Sequence, residues 1–157
     1  MTRLICNLIL VLLLIGLFCP SCSRKGNSDE DKQVTTLGSI EITARLVELP
    51  EKEFPSNDLY DYVYVLKYQV EKVHRGNEDA DTIYVGHYNP RKPRATVSDS
   101  RVKGIGGNLR VFRAGQVHRM ALEVPIDDYF MGGIINKYFG ENTGPIYWAV
   151  WTNLVVK

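Results

Sequence analysis

The side chains best suited to covalent or metal chemistry are few and unevenly placed. All three cysteines, Cys6, Cys19 and Cys22, fall within the first 22 of 157 residues. The three histidines, His74, His87 and His118, are separated by 13 and 31 residues. No pair has the short spacing that puts two ligands on one helical turn, although strands can bring His87 and His118 together. The expectation is that these imidazoles are satisfied by packing or face solvent. Ser98 and Ser100 lie in a basic stretch without the Gly-x-Ser-x-Gly turn that exposes a nucleophile. Asp127 and Asp128 are adjacent, so their carboxylates diverge, and helix capping is their expected role. "GIGGN", Gly104 to Asn108, is followed by the strand-like "LRVF" rather than a helix N-terminus. It therefore reads as a turn and not as a phosphate cradle. No catalytic residue, metal or cofactor is expected, and the chain reads as a non-enzyme.

The cysteines gain a meaning from what surrounds them. Leu4 to Phe18 is apolar except for Asn7 and Gly16, with Arg3 before it and Pro20-Ser21 after it. Fifteen residues fall short of the roughly 18 to 20 that span a bilayer as a helix, so the profile is that of a signal peptide. With a small residue, Ser21, directly before Cys22, the stretch resembles a bacterial lipoprotein signal. That resemblance implies removal of residues 1–21, lipid attachment at Cys22, and a place in the bacterial cell envelope, at the outer membrane or cell surface rather than the inner membrane. The lipid bilayer is then the first expected partner. Residues 22–37 are polar and unpatterned and read as a flexible tether. Asp29-Glu30-Asp31 within them is either a solvated linker or similar to the acidic patch of surface-exported lipoproteins. Cleavage would leave 136 residues, enough for one domain over 38–157, with no thiol free for chemistry.

From residue 38 onward apolar residues recur with period two, the signature of half-buried strands. Ile40, Ile42, Ala44 and Leu46 mark one strand. Tyr60 to Val73 marks a second, long enough to require a bend or bulge. "GNEDAD" is the turn to a third, Thr82 to Tyr88, completing a hairpin. Residues 89–108, with two prolines, three glycines and several cations, predict a long exposed loop. Leu109 to Phe112 and Gln116 to Val124 read as strand, with His118, Met120, Leu122 and Val124 on one face. Asp127 to Phe139 predicts one short helix, weakened by Gly132-Gly133. "IYWAVWTNLVV" predicts the last strand.

Five strands with a long bent second member predict a mainly β fold, a small antiparallel barrel with one short helix. "ITARLVE", "YVLKYQVEKVHRGNEDADTIYVGHY" and "FRAGQVHRMALE" resemble the OB-fold, and within it netrin-like domains such as those of tissue inhibitors of metalloproteinases (TIMP). Netrin-like inhibitors act through a disulfide-held N-terminal cysteine. Here no second cysteine remains to pair, which departs from that pattern.

Charge is distributed unevenly. Residues 41–81 carry five basic and ten acidic side chains, whereas residues 91–119 carry eight basic and one acidic, a net of +7. Arg91, Lys92, Arg94, Arg101, Lys103 and Arg113, with Tyr88 beside them, are the candidate contacts for an anionic ligand. The alternative is that Arg110, Arg113 and Arg119 pair with the acidic half of the chain. Tyr84, Tyr88, Tyr147, Trp148 and Trp151 are candidates for a stacking platform, with Trp148 expected on one face of its strand and Tyr147 and Trp151 on the other. The expected function is a non-catalytic, membrane-anchored binding or structural module contacting another envelope protein. The alternative is a cell-surface accessory binding an anionic polysaccharide. Nucleic acid is not an expected partner.

Overall fold

A computed structural model of the chain describes residues 33–49 and 61–156. The signal segment, Cys22 and most of the proposed tether lie outside the described residues. Six strands are present: β1 Ile40–Glu48, β2 Val63–Arg75, β3 Thr82–Tyr88, β4 Val117–Glu123, β5 Ile134–Ile135 and β6 Ile146–Leu154. β1 pairs with both β2 and β4, β4 with β6, β6 with β3 and β3 with β2, so five strands close a ring. The short β5 adds to β2 outside that ring, pairing Ile134 with Val63.

This is the small, mainly β barrel expected, with one correction. The expected ring was antiparallel throughout, yet β3 and β6 run parallel, Tyr84 opposite Ile146 and Gly86 opposite Trp148. The reason is arithmetic. Each of the five strands reverses its predecessor, and a ring with an odd number of alternating members must contain one parallel seam. The bend expected in the second strand is present. β2 pairs with β3 through Val63–Gln69 and with β1 through Lys67–Arg75, and the β1 pairing carries three register shifts.

Period-two alternation gives this barrel two apolar layers. Ile42, Leu46, Leu66, Val85, Met120 and Leu122 fill the interior. Val63, Tyr88 and Trp148 point the other way and form an outer cluster with Val97, Val102, Ile105 and Ile126. Each such side chain taken out of water contributes about 1.5–3 kcal/mol.

The outer cluster explains two further departures. Residues 89–108 are not an exposed loop, because Arg94, Val97, Val102 and Ile105 are buried in them. Their apolar positions recur at intervals of five and three, which fit neither sheet nor helix. Beyond Trp148, β6 is no longer paired with β3 and has a free edge, which "GIGGN" takes by running alongside it. Gly106 donates its N–H to Val150 O at 2.9 Å and accepts from Thr152 N at 2.9 Å. Gly107, at φ 131, lies so close to Thr152 that a Cβ would sit 1.9 Å from its carbonyl oxygen. Asn108 and Asn153 complete the attachment: Asn108 N–H donates to Asn153 Oδ1 at 2.9 Å, and Leu154 N–H to Asn108 Oδ1 at 2.7 Å. Leu109 to Phe112 is likewise irregular, its buried Leu109 and Phe112 plugging the barrel interior.

Asp127 to Phe139 is not an α-helix. It holds the end of a single 3-10 turn, Ile126–Asp128, and the two-residue β5. The Gly133 carbonyl accepts from Val63 N–H at 3.0 Å, and the residue lies against the Tyr62 ring, where a Cβ would meet carbon at 2.6 Å. Strand contacts therefore outcompete a helix that two glycines already weaken. At the other end, residues 33–36 form a helical turn with Val34 fully buried, so ordered packing begins before residue 38. Among the described residues no helix is long and apolar enough to cross a membrane.

Candidate functional site

The fold divides the basic stretch into separate environments. Arg94 departs from the expectation most clearly, because it is 4% exposed and cannot meet a ligand. Its guanidinium donates to the carbonyls of Tyr88 at 2.8 Å, Asn89 at 2.6 Å and Lys92 at 3.0 Å, and lies 5.3 Å from the Phe112 ring centre. Burial lowers its pKa to about 10. Arg94 is thus an internal clamp on three inward-turned carbonyls. Lys92 and Arg101 converge on Asp61, at 3.4 and 2.8 Å. Arg91 is half-buried and already engaged. Arg113 lies elsewhere, with Arg110 along an open groove bordered by Leu109, Val111 and Leu154. Arg119 pairs with the buried Glu41 at 2.6 Å, as the structural alternative for that residue predicts.

Tyr88, Arg101 and Lys103 come together. They line a cleft of about 560 Å³ on the flank of the barrel, between residues 99–103 and 129–133. Asp99 sets the first wall. Its Oδ1 accepts the N–H groups of Arg101 and Val102, both at 2.8 Å, an Asx turn that needs no regular structure. Its Oδ2 accepts the Tyr88 hydroxyl at 2.7 Å, fastening the turn to the end of β3. That hydrogen bond, then those from the backbone, lower the Asp99 carboxyl pKa. Burial, and then the bond to Asp99, push the Tyr88 phenol upward.

The second wall begins at the 3-10 turn, where Tyr129 and Phe130 both donate N–H to Ile126 O at 2.9 Å. Phe130 stacks on Trp148, ring centres 5.5 Å apart and planes at 12°, and meets Tyr88 at 5.8 Å. At the lip, Tyr129 is 49% and Met131 95% exposed. Lys103 is exposed and has no ion-pair partner among the described residues. Among the described residues the cleft therefore combines the half-buried Phe130, backed by the buried Trp148 and Tyr88, with two cations and one carboxylate, Asp61.

The platform expected from the aromatic residues takes a different form. A register shift against β4 puts Val150 out of step, and alternation fails within β6. Tyr147 faces the interior cluster, Trp148 the outer one, and the Trp151 ring lies over Gly106. Trp148 joins a stack with Phe130 and not with Tyr84.

His87 and His118 do meet, through a third residue. The Tyr68 hydroxyl lies 3.1 Å from His87 Nε2 and 3.0 Å from His118 Nδ1, with Phe112 edge-on to both rings. His118 Nε2 reaches Gln116 Oε1 at 3.3 Å. Burial holds His118 down at about 4, and holds His87 well below the usual imidazole range with help from Arg94 and His118. All three side chains are fully buried, so the group has no face for a substrate. Among the described residues no three His, Cys, Asp or Glu side chains are grouped to hold a metal. Ser98 donates its hydroxyl to Val102 O at 3.0 Å and serves the loop.

Sequence reasoning missed Asp61, Asp99, Tyr129, Phe130 and Met131. "SDSR" carried a readable Asx-turn signal at Asp99. "YFMGG" carried a weaker one, large apolar residues beside two glycines in a segment too irregular for a helix. No family model, curated protein or solved structure matches this chain.

Proposed function

We propose that the chain is a lipid-anchored protein of the bacterial envelope that binds a partner and does no chemistry on it. The observation that carries this reading is the cleft in which Tyr88, Arg101 and Lys103 meet Phe130 and Trp148. It is concave, partly apolar and pre-formed, the usual character of a binding site. Tyr68, whose pKa burial raises, and His87, whose pKa burial lowers, are sealed in the barrel instead of lining the cleft. An envelope location rests on the signal-like Leu4 to Phe18 and on Ser21-Cys22. Attachment through Cys22 would give two or more acyl chains, each contributing about 0.8 kcal/mol per buried CH₂.

Two variants test the two halves. Cys22→Ser is expected to move the protein from the membrane pellet to the soluble fraction. Sedimentation with membranes after a high-salt wash would overturn the anchor. The double variant Arg101→Ala/Lys103→Ala is expected to stay anchored and folded but to lose crosslinks to its native envelope neighbours. Unchanged crosslinking would remove the cleft as the binding site.

A further inference from the structure

We infer that the cleft takes an acidic sugar ring of a polysaccharide chain, an inference that rests on the binding-module reading above. Size is the first argument. About 560 Å³ is the scale of a small-ligand site, whereas a stable protein partner needs an extended interface of roughly 1,000 Å² or more.

The lining supplies the second. Phe130 and Trp148 stack with their planes nearly parallel, at 12°, and Phe130 is the half-buried ring that faces the cleft, backed by the buried Trp148 and Tyr88. The Phe130 ring suits the C–H face of a pyranose, and the Tyr129 phenol at the margin, which donates to Glu123 at 3.3 Å, keeps an acceptor for one of its hydroxyls.

Charge decides between a neutral and an acidic sugar. Among the described residues Asp61 is the sole carboxylate in the lining, and Arg101 and Lys92 already share it. A guanidinium has five N–H donors, and the contact with Asp61 uses Nη2 alone. Arg101 therefore has donors to spare, and the Lys103 ammonium beside it has no carboxylate partner among the described residues. A sugar carboxylate placed between them is matched twice, whereas a neutral ring leaves both cations unanswered. Arg101 follows directly on the Asp99 turn, so its backbone is in place before the ligand arrives. The outward-projecting Tyr129 and Met131 leave the lip open, which lets a polymer continue past the bound ring.

The test uses the full lipoprotein in detergent micelles and a panel of polyuronates, sialylated glycans and the methyl esters of each. The esters keep every ring and remove only the charge. At least one acidic glycan is expected to bind and its ester to bind tenfold or more weaker. Lys103→Ala is expected to abolish most of that difference at unchanged melting temperature. Tyr129→Ala with Met131→Ala is expected to weaken the acid and its ester alike. Equal binding of acid and ester, or no effect of Lys103→Ala, overturns the inference. If no acidic glycan binds while neighbour crosslinks still depend on Arg101 and Lys103, the sugar is wrong and the binding-module reading stands. If neither glycan binding nor crosslinking depends on them, both fall.

Discussion

Tyr88 donates its hydroxyl to Asp99 across 2.7 Å, joining the last residue of β3 to a turn eleven positions downstream. The same carboxylate organises the backbone of Arg101 and Val102, so one hydrogen bond carries the position of a whole cleft wall.

Tyr88→Phe keeps the ring among its buried apolar neighbours and removes only the donor. The expected cost is about 1 kcal/mol, read as a lower urea midpoint with unchanged slope. Faster amide hydrogen exchange at Arg101 and Val102 should accompany it, with little change at the interior strands.

Acid should weaken the barrel from within. His87 and His118 have folded pKa values below the unfolded value of about 6.5, so the unfolded chain binds protons that the folded chain refuses. Their contribution is fully present above about pH 6.5 and is lost as pH falls toward the folded value, about 4 for His118. Each histidine steepens the loss by up to about 1.4 kcal/mol per pH unit. Urea unfolding of the wild type and of His118→Asn at pH 7, 6 and 5 checks this. The variant should be weaker at pH 7 but lose less between 7 and 5, and parallel losses would show that His118 contributes nothing.

Two arginines seven residues apart should respond very unequally to truncation. Arg94→Met strands three carbonyls inside the protein and is expected to cost at least 2–3 kcal/mol. Arg101→Ala removes an exposed ion pair worth about 0–1 kcal/mol. Melting temperatures of the two single variants compare them directly, and equal losses would contradict the buried clamp.

The chain from residue 33 onward is expected to fold as a soluble, cooperatively melting β domain. A version starting at residue 38 should be measurably weaker. It lacks the buried Val34, and it loses the Leu37 carbonyl that accepts from Arg75, whose second contact is the Gly38 carbonyl. Far-UV circular dichroism and thermal unfolding of both fragments test the prediction.

Strands were legible wherever one face is buried and the other wet. Ile40 and the run Thr82 to Tyr88 were placed at the observed ends because their alternation is unbroken. The parallel seam was not legible, since period two reports which face is buried and not which neighbour a strand takes. Residues 89–112 were misread because their buried side chains are held by one-off contacts, among them the Asn108–Asn153 exchange and the Arg94 clamp. Such contacts leave no repeating pattern. The cleft was half legible. Tyr88, Arg101 and Lys103 stood out by type, whereas Asp61 and Phe130 reach it from segments 40 and 29 residues away from Arg101, and only the closed barrel brings them there.

The seat of β6 has a consequence for the order in which this protein can be assembled. β6 comes last among the ring strands and lies between β3 and β4, so both of its seams stay open until residues 146–154 arrive. β1 to β4 can pair early, but the sheet they make is not yet a barrel. Until then its interior is wet and β3 and β4 each have a bare edge, the condition in which strands add to the wrong chain. Long-range closure of this kind is slow because the loop entropy must be lost before the contacts form. A chain exported through a membrane would meet that interval after translocation, where a holding chaperone can shield the open edges.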